Sequence, residues 1–314
     1  MVVRGVDFPG RGRASLLNRI LPRRTRSDVL WGFAMITPLC AGLLVFAYWP
    51  IIQTFYYTFT SWSEFGTVTW AGLSNYQALL TDPDIPRALI NTTLFAFVSV
   101  PVSVGLSIIV AALLNQPVRG LVVYRVLYFL PVVTMPAAVG MIWKWIYNGD
   151  FGLLNQTLSL VGITGPQWLG DPRTALWAMT AVGVWGSIGY NMIILLAGLQ
   201  TIPKMYYEAA EIDGASNLRR FLHVTVPLLS PSIFFTVVIG AINAFQLFDL
   251  VYLMIGPNSP TLPNTESLVY LFYQDAFIND DKGYAATITV LLLGVILFMT
   301  MIQLWAQRRW VYYE

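Results

Sequence analysis

The chain has 314 residues, of which 56% are hydrophobic and 11% charged, with 18 basic and 16 acidic side chains and a net charge of +2. Soluble domains carry about 25% charged residues, so an ordinary soluble enzyme is excluded and lipid is the expected solvent. One cysteine, Cys40, and one histidine, His223, exclude a disulfide framework, a Cys/His zinc cluster and a Cys–His nucleophilic pair.

The N-terminal tail, residues 1–28, carries Arg4, Arg11, Arg13, Arg19, Arg23, Arg24 and Arg26. A basic flank beside a first membrane span is the ordinary topological anchor, which outweighs a nucleic-acid role. Arg23-Arg24 sits inside a general arginine cluster, so a twin-arginine export signal is the weaker reading. Six apolar stretches follow, near 30–58, 89–114, 121–147, 174–199, 231–255 and 284–306. Each reaches the roughly 20 residues that cross about 30 Å of hydrocarbon. The first is too long for a signal-peptide core and is not followed by a cleavage site of small residues. The expected fold is therefore an all-α membrane protein with six transmembrane helices in a body over 29–310 and a short end over 311–314.

Pro101 in the second stretch and Pro131 and Pro136 in the third each remove a backbone donor and permit kinks. Trp143, Trp145 and Tyr147, and again Trp305, Trp310, Tyr312 and Tyr313, read as interfacial aromatic belts. Lys and Arg stay on the cytoplasmic side. With six spans, the tail, Arg119 and Arg125, Lys204, Arg219 and Arg220, and Arg308 and Arg309 share one side, which places both termini in the cytoplasm. The opposite loops collect Glu64, Asp82, Asp84, Asp150, Asp171, Glu266, Asp275, Asp280 and Asp281.

The longest connection on the basic side, 200–230, does not read as a passive linker. After Pro203 come good helix formers through Glu208, Ala209, Ala210 and Asp213, and Gly214 stops them as a C′ glycine would. Ser216 then caps a second short helix over 217–223, and Ser230-Pro231 starts the fifth span with Ser230 as N-cap. Two short helices with a sharp turn outside the lipid make a docking shape.

In the fourth span Gly183, Gly186, Ser187 and Tyr190, and in the fifth Gly240, Asn243, Ala244 and Leu247, recur at i, i+3, i+4 and i+7, giving one stripe on each helix near mid-membrane. Transporters hold solutes near the bilayer midplane, where a hydroxylated solute needs amide or hydroxyl partners and an aromatic face. The same small residues and a lone Asn also pack membrane helices, so both readings stand. Phe245, Gln246, Trp185 and Asn191 lie off the stripes and rank behind them. Asp249 is the one acid inside a predicted span, and Lys144 on the third span reaches similar depth. A structural or gating ion pair between Lys144 and Asp249 is expected, against simple interfacial hydration of the two groups.

Glu208-Ala209-Ala210, three residues, Gly214, then Val224, Val226 and Pro227 resembles the cytoplasmic signature of the permease subunits of bacterial ATP-binding-cassette importers. Trp49-Pro50, Gly72 to Tyr76, Asn91-Thr92, Phe129 to Pro131, Gly140 to Trp143, Gly152 to Asn155 and Phe245 to Tyr252 resemble its carbohydrate-uptake branch. The resemblance implies a type I importer transmembrane domain whose 200–230 loop is a coupling helix seated on a separate ATPase. Glu208, Ala209, Ala210, Asp213, Gly214 and Pro227 are then the coupling residues. Ser187, Tyr190, Gly240, Asn243 and Leu247 are the solute contacts. The implied partners are a second permease subunit, two nucleotide-binding ATPase subunits and an extracytoplasmic solute-binding protein. No metal or cofactor is expected on this chain, and ATP and Mg belong to the ATPases. All three lysines lack a preceding glycine, so this chain has no P-loop of its own. An ion-coupled secondary transporter using Asp249 would need ionisable groups near the midplane and commonly an inverted repeat. A prenyl or glycosyl transferase would need clustered acids for a metal-bound pyrophosphate, and Asp280-Asp281 is a lone pair.

Overall fold

The structure is a computed structural model that describes residues 26–62, 67–117 and 119–312, the side chains of 26–30 excepted. The arginines of 1–25, Glu64, and Tyr313 with the last residue of the expected C-terminal end lie outside the described residues. Contacts cluster into two units, 1–53 and 54–314. In the first, Arg26–Leu43 is α-helical and passes into a π-helical turn over Leu44–Tyr48. The apolar helix Trp31–Tyr57 that runs out of this unit is 27 residues long, enough to cross a membrane.

The second unit is built on three long helices: Asp84–Leu114, Ala175–Thr201 and Lys282–Trp310, the second, fourth and sixth spans. The second and fourth pack along most of their length, and the fifth, Ser230–Phe245, closes against both. Their shared core holds Phe95, Val104, Ala111, Met179, Met192, Leu195 and Phe245. A second cluster of Ile85, Ala88, Leu268, Leu271 and Ile288 ties the second and sixth spans to a further short helix, Leu268–Tyr273. Helix outer faces expose large apolar side chains, among them Phe97, Leu127, Leu297 and Phe298, as expected where lipid is the solvent. The one described pair of strands, Thr60–Trp62 and Val68–Trp70, is antiparallel, and Asn75 Nδ2 anchors it by donating to the carbonyls of Thr58 and Thr60, both at 2.9 Å.

Only one of the three prolines breaks its helix. Pro101 and Pro131 lie inside continuous helices, Asp84–Leu114 and Leu121–Val133. The third span instead breaks at Thr134-Met135, and its halves, Leu121–Val133 and Pro136–Ile146, meet at 98°. Met135 is extended (φ −56°, ψ 128°) because a residue before proline is pushed out of the helical region, and Pro136 then begins the second half. The fourth span crosses the first half so closely that a Cβ on Gly189 would meet the Tyr128 carbonyl oxygen at 2.1 Å.

The fifth span is shorter than its apolar run. Helix ends at Phe245, the chain is non-helical through Gln246, Leu247 and Phe248, and a helical segment resumes at Asp249 and ends at Gly256 (φ +79°). At its other end Ser230 is helical rather than a cap: Leu229 holds the cap position, and the Ser230 hydroxyl accepts from the Tyr312 backbone N–H at 2.9 Å. Tyr147 is a core residue packed on Trp143 and Trp168 rather than a belt residue, whereas Trp145 is exposed.

Candidate functional site

The second, fourth and fifth spans enclose a cavity of about 250 Å³. The fifth contributes Gly240, Asn243, Ala244 and Leu247, the whole of its i, i+3, i+4, i+7 stripe. From the fourth come Gly183, Ser187 and Tyr190, while Gly186 of the same stripe is not part of the wall. Ser187, Tyr190, Gly240, Asn243 and Leu247 are thus brought to one place. Asn191, ranked behind them in the sequence, lines the cavity too, and Phe245, Gln246 and Trp185 do not. The second span supplies a third wall, Phe95, Ser99, Val100 and Ser103, which the sequence reading missed.

The wall is uncharged throughout. Its hydrogen-bonding groups are the hydroxyls of Ser99, Ser103, Ser187 and Tyr190 and the amides of Asn191 and Asn243. Ser187 already donates to the Val184 carbonyl at 3.0 Å, whereas the side chains of Tyr190 and Asn243 have no partner among the described residues. Gly183 allows the Phe95 ring to close the wall, since a Cβ there would meet the ring at 2.8 Å. Such a lining hydrogen-bonds hydroxyl groups and stacks on apolar ring faces, and it offers no counter-charge to an anion.

Lys144 and Asp249 do not pair. Both are exposed, and among the described residues the ion pairs are Arg87–Asp84, Arg220–Glu211 and Lys282–Asp280. The break at 246–248 accounts for this: Asp249 is the first residue of a new helical segment, where a carboxylate is favoured by the helix N-terminus without any cationic partner. Neither residue lines the cavity.

The loop at 200–230 forms the expected two helices. Lys204–Ile212 ends in a complete Schellman turn: Ala215 N–H donates to the Ala210 carbonyl at 2.9 Å, Gly214 N–H to that of Glu211 at 3.0 Å, and Gly214 takes φ +73°. Ser216 caps the next helix by accepting from the Arg219 N–H at 3.4 Å. That helix continues past residue 223 through Leu228 and meets Ser230–Phe245 at 66°. The two loop helices are tied by Tyr207 with Thr225 (3.2 Å) and Arg220 with Glu211 (3.4 Å). Glu208, Ala209, Asp213 and Gly214 are exposed, Ala210 and Pro227 half-buried. Around Gly214 a Cβ would meet nothing within 4 Å, and Ile212 is 87% and Leu218 68% exposed. The turn thus carries exposed apolar side chains beside a glycine with open space around it.

At the opposite end of the helices, a segment over 261–267 ties several elements together. Thr261 Oγ1 donates to the Leu169 carbonyl at 2.8 Å, Asn91 Nδ2 donates to the carbonyls of Pro263 and Glu266 at 3.1 and 3.2 Å, and the Ser267 hydroxyl donates to the carbonyl of Leu247, a cavity residue. The same Ser267 oxygen accepts from the Tyr270 N–H at 3.1 Å and so caps Leu268–Tyr273. Glu266 is 5% exposed, and its Oε1 has no partner among the described residues. Burial pushes this carboxyl up to about 7; Asp84 and Asp82 add to the rise and Arg87 opposes it.

Residues 78–312 match the family described as the binding-protein-dependent transport system inner membrane component. The chain is 34% identical over 295 residues to the probable ABC transporter permease protein YesP of Bacillus subtilis, covering 93% of this chain and 95% of that one. It is 32% identical to the sn-glycerol-3-phosphate transport system permease protein UgpA of Agrobacterium fabrum (94% and 97% covered). It is also 32% identical to the trehalose/maltose transport system permease protein MalF of Thermococcus litoralis (91% and 97% covered). Its fold is similar to a chain in the crystal structure of a bacterial ABC transporter that imports the acidic polysaccharide alginate, with a TM-score of 0.79 at 21% identity, covering 90% of this chain and 96% of that one. A multi-pass helical chain with this match over most of its length belongs to the family of inner membrane components of binding-protein-dependent transport systems.

Proposed function

We propose that this chain is the permease subunit of an ATP-driven importer for an uncharged sugar or sugar-like solute, working by alternating access. The observation that carries this reading is the separation of two surfaces on one chain: an uncharged, hydroxyl-rich cavity between spans, and an exposed rigid turn outside them. Transport proteins hold solutes between helices near mid-membrane, and a lining without counter-charges selects polyols over phosphates. That one named relative is a trehalose/maltose permease supports the sugar class, and the uncharged lining sets this chain apart from UgpA, whose named solute is a phosphate ester. The chain's own basic residues put the 200–230 turn in the cytoplasm, where Glu208 and Gly214 meet an ATPase subunit that binds ATP and Mg. ATP-driven closure of two such subunits moves the turn, and the 66° junction with the fifth span passes that motion to Asn243 and Leu247. A second permease subunit completes the pathway, and a solute-binding protein delivers from outside.

The test uses the assembled transporter. Gly214→Asp inserts in the membrane but abolishes uptake, measured as sugar accumulation in cells, because a charged branch fills the docking face. Gly214→Asn keeps the left-handed turn and lowers uptake less. Deleting the partner ATPase also abolishes uptake; persistence of uptake in that strain overturns the reading in favour of an ion-coupled carrier. The position of Asp249 outside the cavity already weighs against that carrier.

A further inference from the structure

The second span carries Ser99, Ser103 and Ser107 at four-residue intervals, one above the other on one face, and all three are at least 95% buried. They do different work. Ser107 is consumed by packing, its hydroxyl shared between the Ser103 carbonyl at 2.6 Å and the Ile188 carbonyl of the fourth span at 3.3 Å, and it does not reach the cavity. Ser103 lines the cavity, donates to the Val100 carbonyl at 3.1 Å and accepts from Asn191 Nδ2 at 3.4 Å, which fixes the Asn191 amide in one orientation. Ser99 lines the cavity and its hydroxyl has no partner among the described residues. The Ser99 hydroxyl is open to the cavity rather than sealed in the core, so it is available to hydrogen-bond whatever enters.

We infer that Ser99, together with the Ser103–Asn191 pair, is a hydroxyl-reading wall that sets solute specificity, its ligand an uncharged polyhydroxylated solute. Ser99 both donates and accepts, so it bonds a solute hydroxyl in either sense, while Ser103 holds Asn191 so that its free amide oxygen accepts from a neighbouring hydroxyl. The fourth and fifth spans bring Tyr190 and Asn243 from the facing sides. The inference rests on the permease reading above and deepens it.

The experiment is uptake by the complete transporter of maltose, trehalose and arabinobiose, with sn-glycerol 3-phosphate as the anionic comparison, followed by monodeoxy derivatives of the sugar that is imported. Wild type loses about 3- to 10-fold in kcat/KM for the derivative lacking the hydroxyl that Ser99 reads, the size of one neutral hydrogen bond. Ser99→Ala loses a similar factor with the parent sugar and none further with that derivative, so the two losses do not multiply. Asn191→Leu shows the same non-multiplication at a different hydroxyl. Ser107→Ala lowers the amount of folded complex and leaves every discrimination ratio unchanged, which separates a packing role from a reading one. Losses that multiply for Ser99→Ala at every hydroxyl, or import of the glycerol phosphate with none of the three sugars, overturn the inference. If Ser99→Ala fails in this way while Gly214→Asp still abolishes uptake, the permease reading survives without the wall. If Gly214→Asp is also silent, that reading falls first.

Discussion

Glu266 shows how a single side chain acquires a property that neither its type nor its neighbours in sequence announce. Its carboxyl is buried beneath the 261–267 segment, beside Asp84 and Arg87, and takes up its proton near pH 7 instead of near 4.5. The folded state therefore holds a proton that the unfolded chain gives up, so no penalty exists below about pH 4.5. The penalty grows as pH rises and is complete once the pH has passed about 7. Purified protein is expected to unfold at a higher temperature at pH 5.5 than at pH 8. Glu266→Gln should remove most of that difference by stabilising the alkaline sample. Thermal unfolding of the two proteins at both pH values checks this, and an undiminished pH difference in the variant would assign the effect elsewhere, for instance to Asp275, whose carboxyl burial also raises.

At the scale of elements, the breaks are what shape the cavity. A fifth span running unbroken to residue 255 would carry Leu247 and Asp249 on round one cylinder. Stopping at Phe245 leaves the Leu247 side chain on the cavity wall and releases its carbonyl from the helical ladder to take the Ser267 hydroxyl. Ser267→Ala orphans that carbonyl and uncaps Leu268–Tyr273, so it should cost about 1–3 kcal/mol. A fall in midpoint temperature of the purified complex measures it, and Ser267→Thr should restore most of the loss. The stripes of the fourth and fifth spans were legible because helical periodicity survives burial, and the loop turn was legible because Gly214 and Ser216 act locally. The breaks were not. Pro101, Pro131 and Pro136 look alike in sequence, yet only Pro136 ends a helix, since packing decides which missing donors are tolerated. The Leu268–Tyr273 helix was hidden by its brevity, although Ser267 before an apolar run was a readable cap. The second-span wall was missed for a related reason: Ser99, Ser103 and Ser107 carry an i, i+4 signal of their own, but serine reads as a packing residue until a cavity is found beside it.

For the whole molecule, the expected six-span topology makes the small net charge of +2 a cancellation between two sides of a bilayer. The topology expected from the sequence puts fourteen of the eighteen basic residues on the side of the 200–230 loop, while the 261–267 end has Asp82, Asp84, Glu266 and Asp275 around it. The lone cysteine makes this easy to test. With Cys40→Ser as background, a cysteine at Ile212 should react with a membrane-impermeant maleimide only in inverted vesicles, and one at Phe277 only in intact cells. Both positions are well exposed, at 87% and 68%. Reversal of the pattern would invert the topology and remove Gly214 from the reach of ATP.

The uncharged lining of the cavity has an electrical meaning as well. A membrane voltage does about 2.3 kcal/mol of work per 100 mV on each elementary charge that crosses it. A neutral solute moving between walls without charge carries none of that work on this chain's side of the pathway. Under the proposed function voltage then neither drives accumulation nor opposes it, and the gradient that can be built is set by nucleotide hydrolysis alone. In proteoliposomes supplied with ATP, imposing an inside-negative or inside-positive potassium diffusion potential should leave the initial rate of sugar entry unchanged.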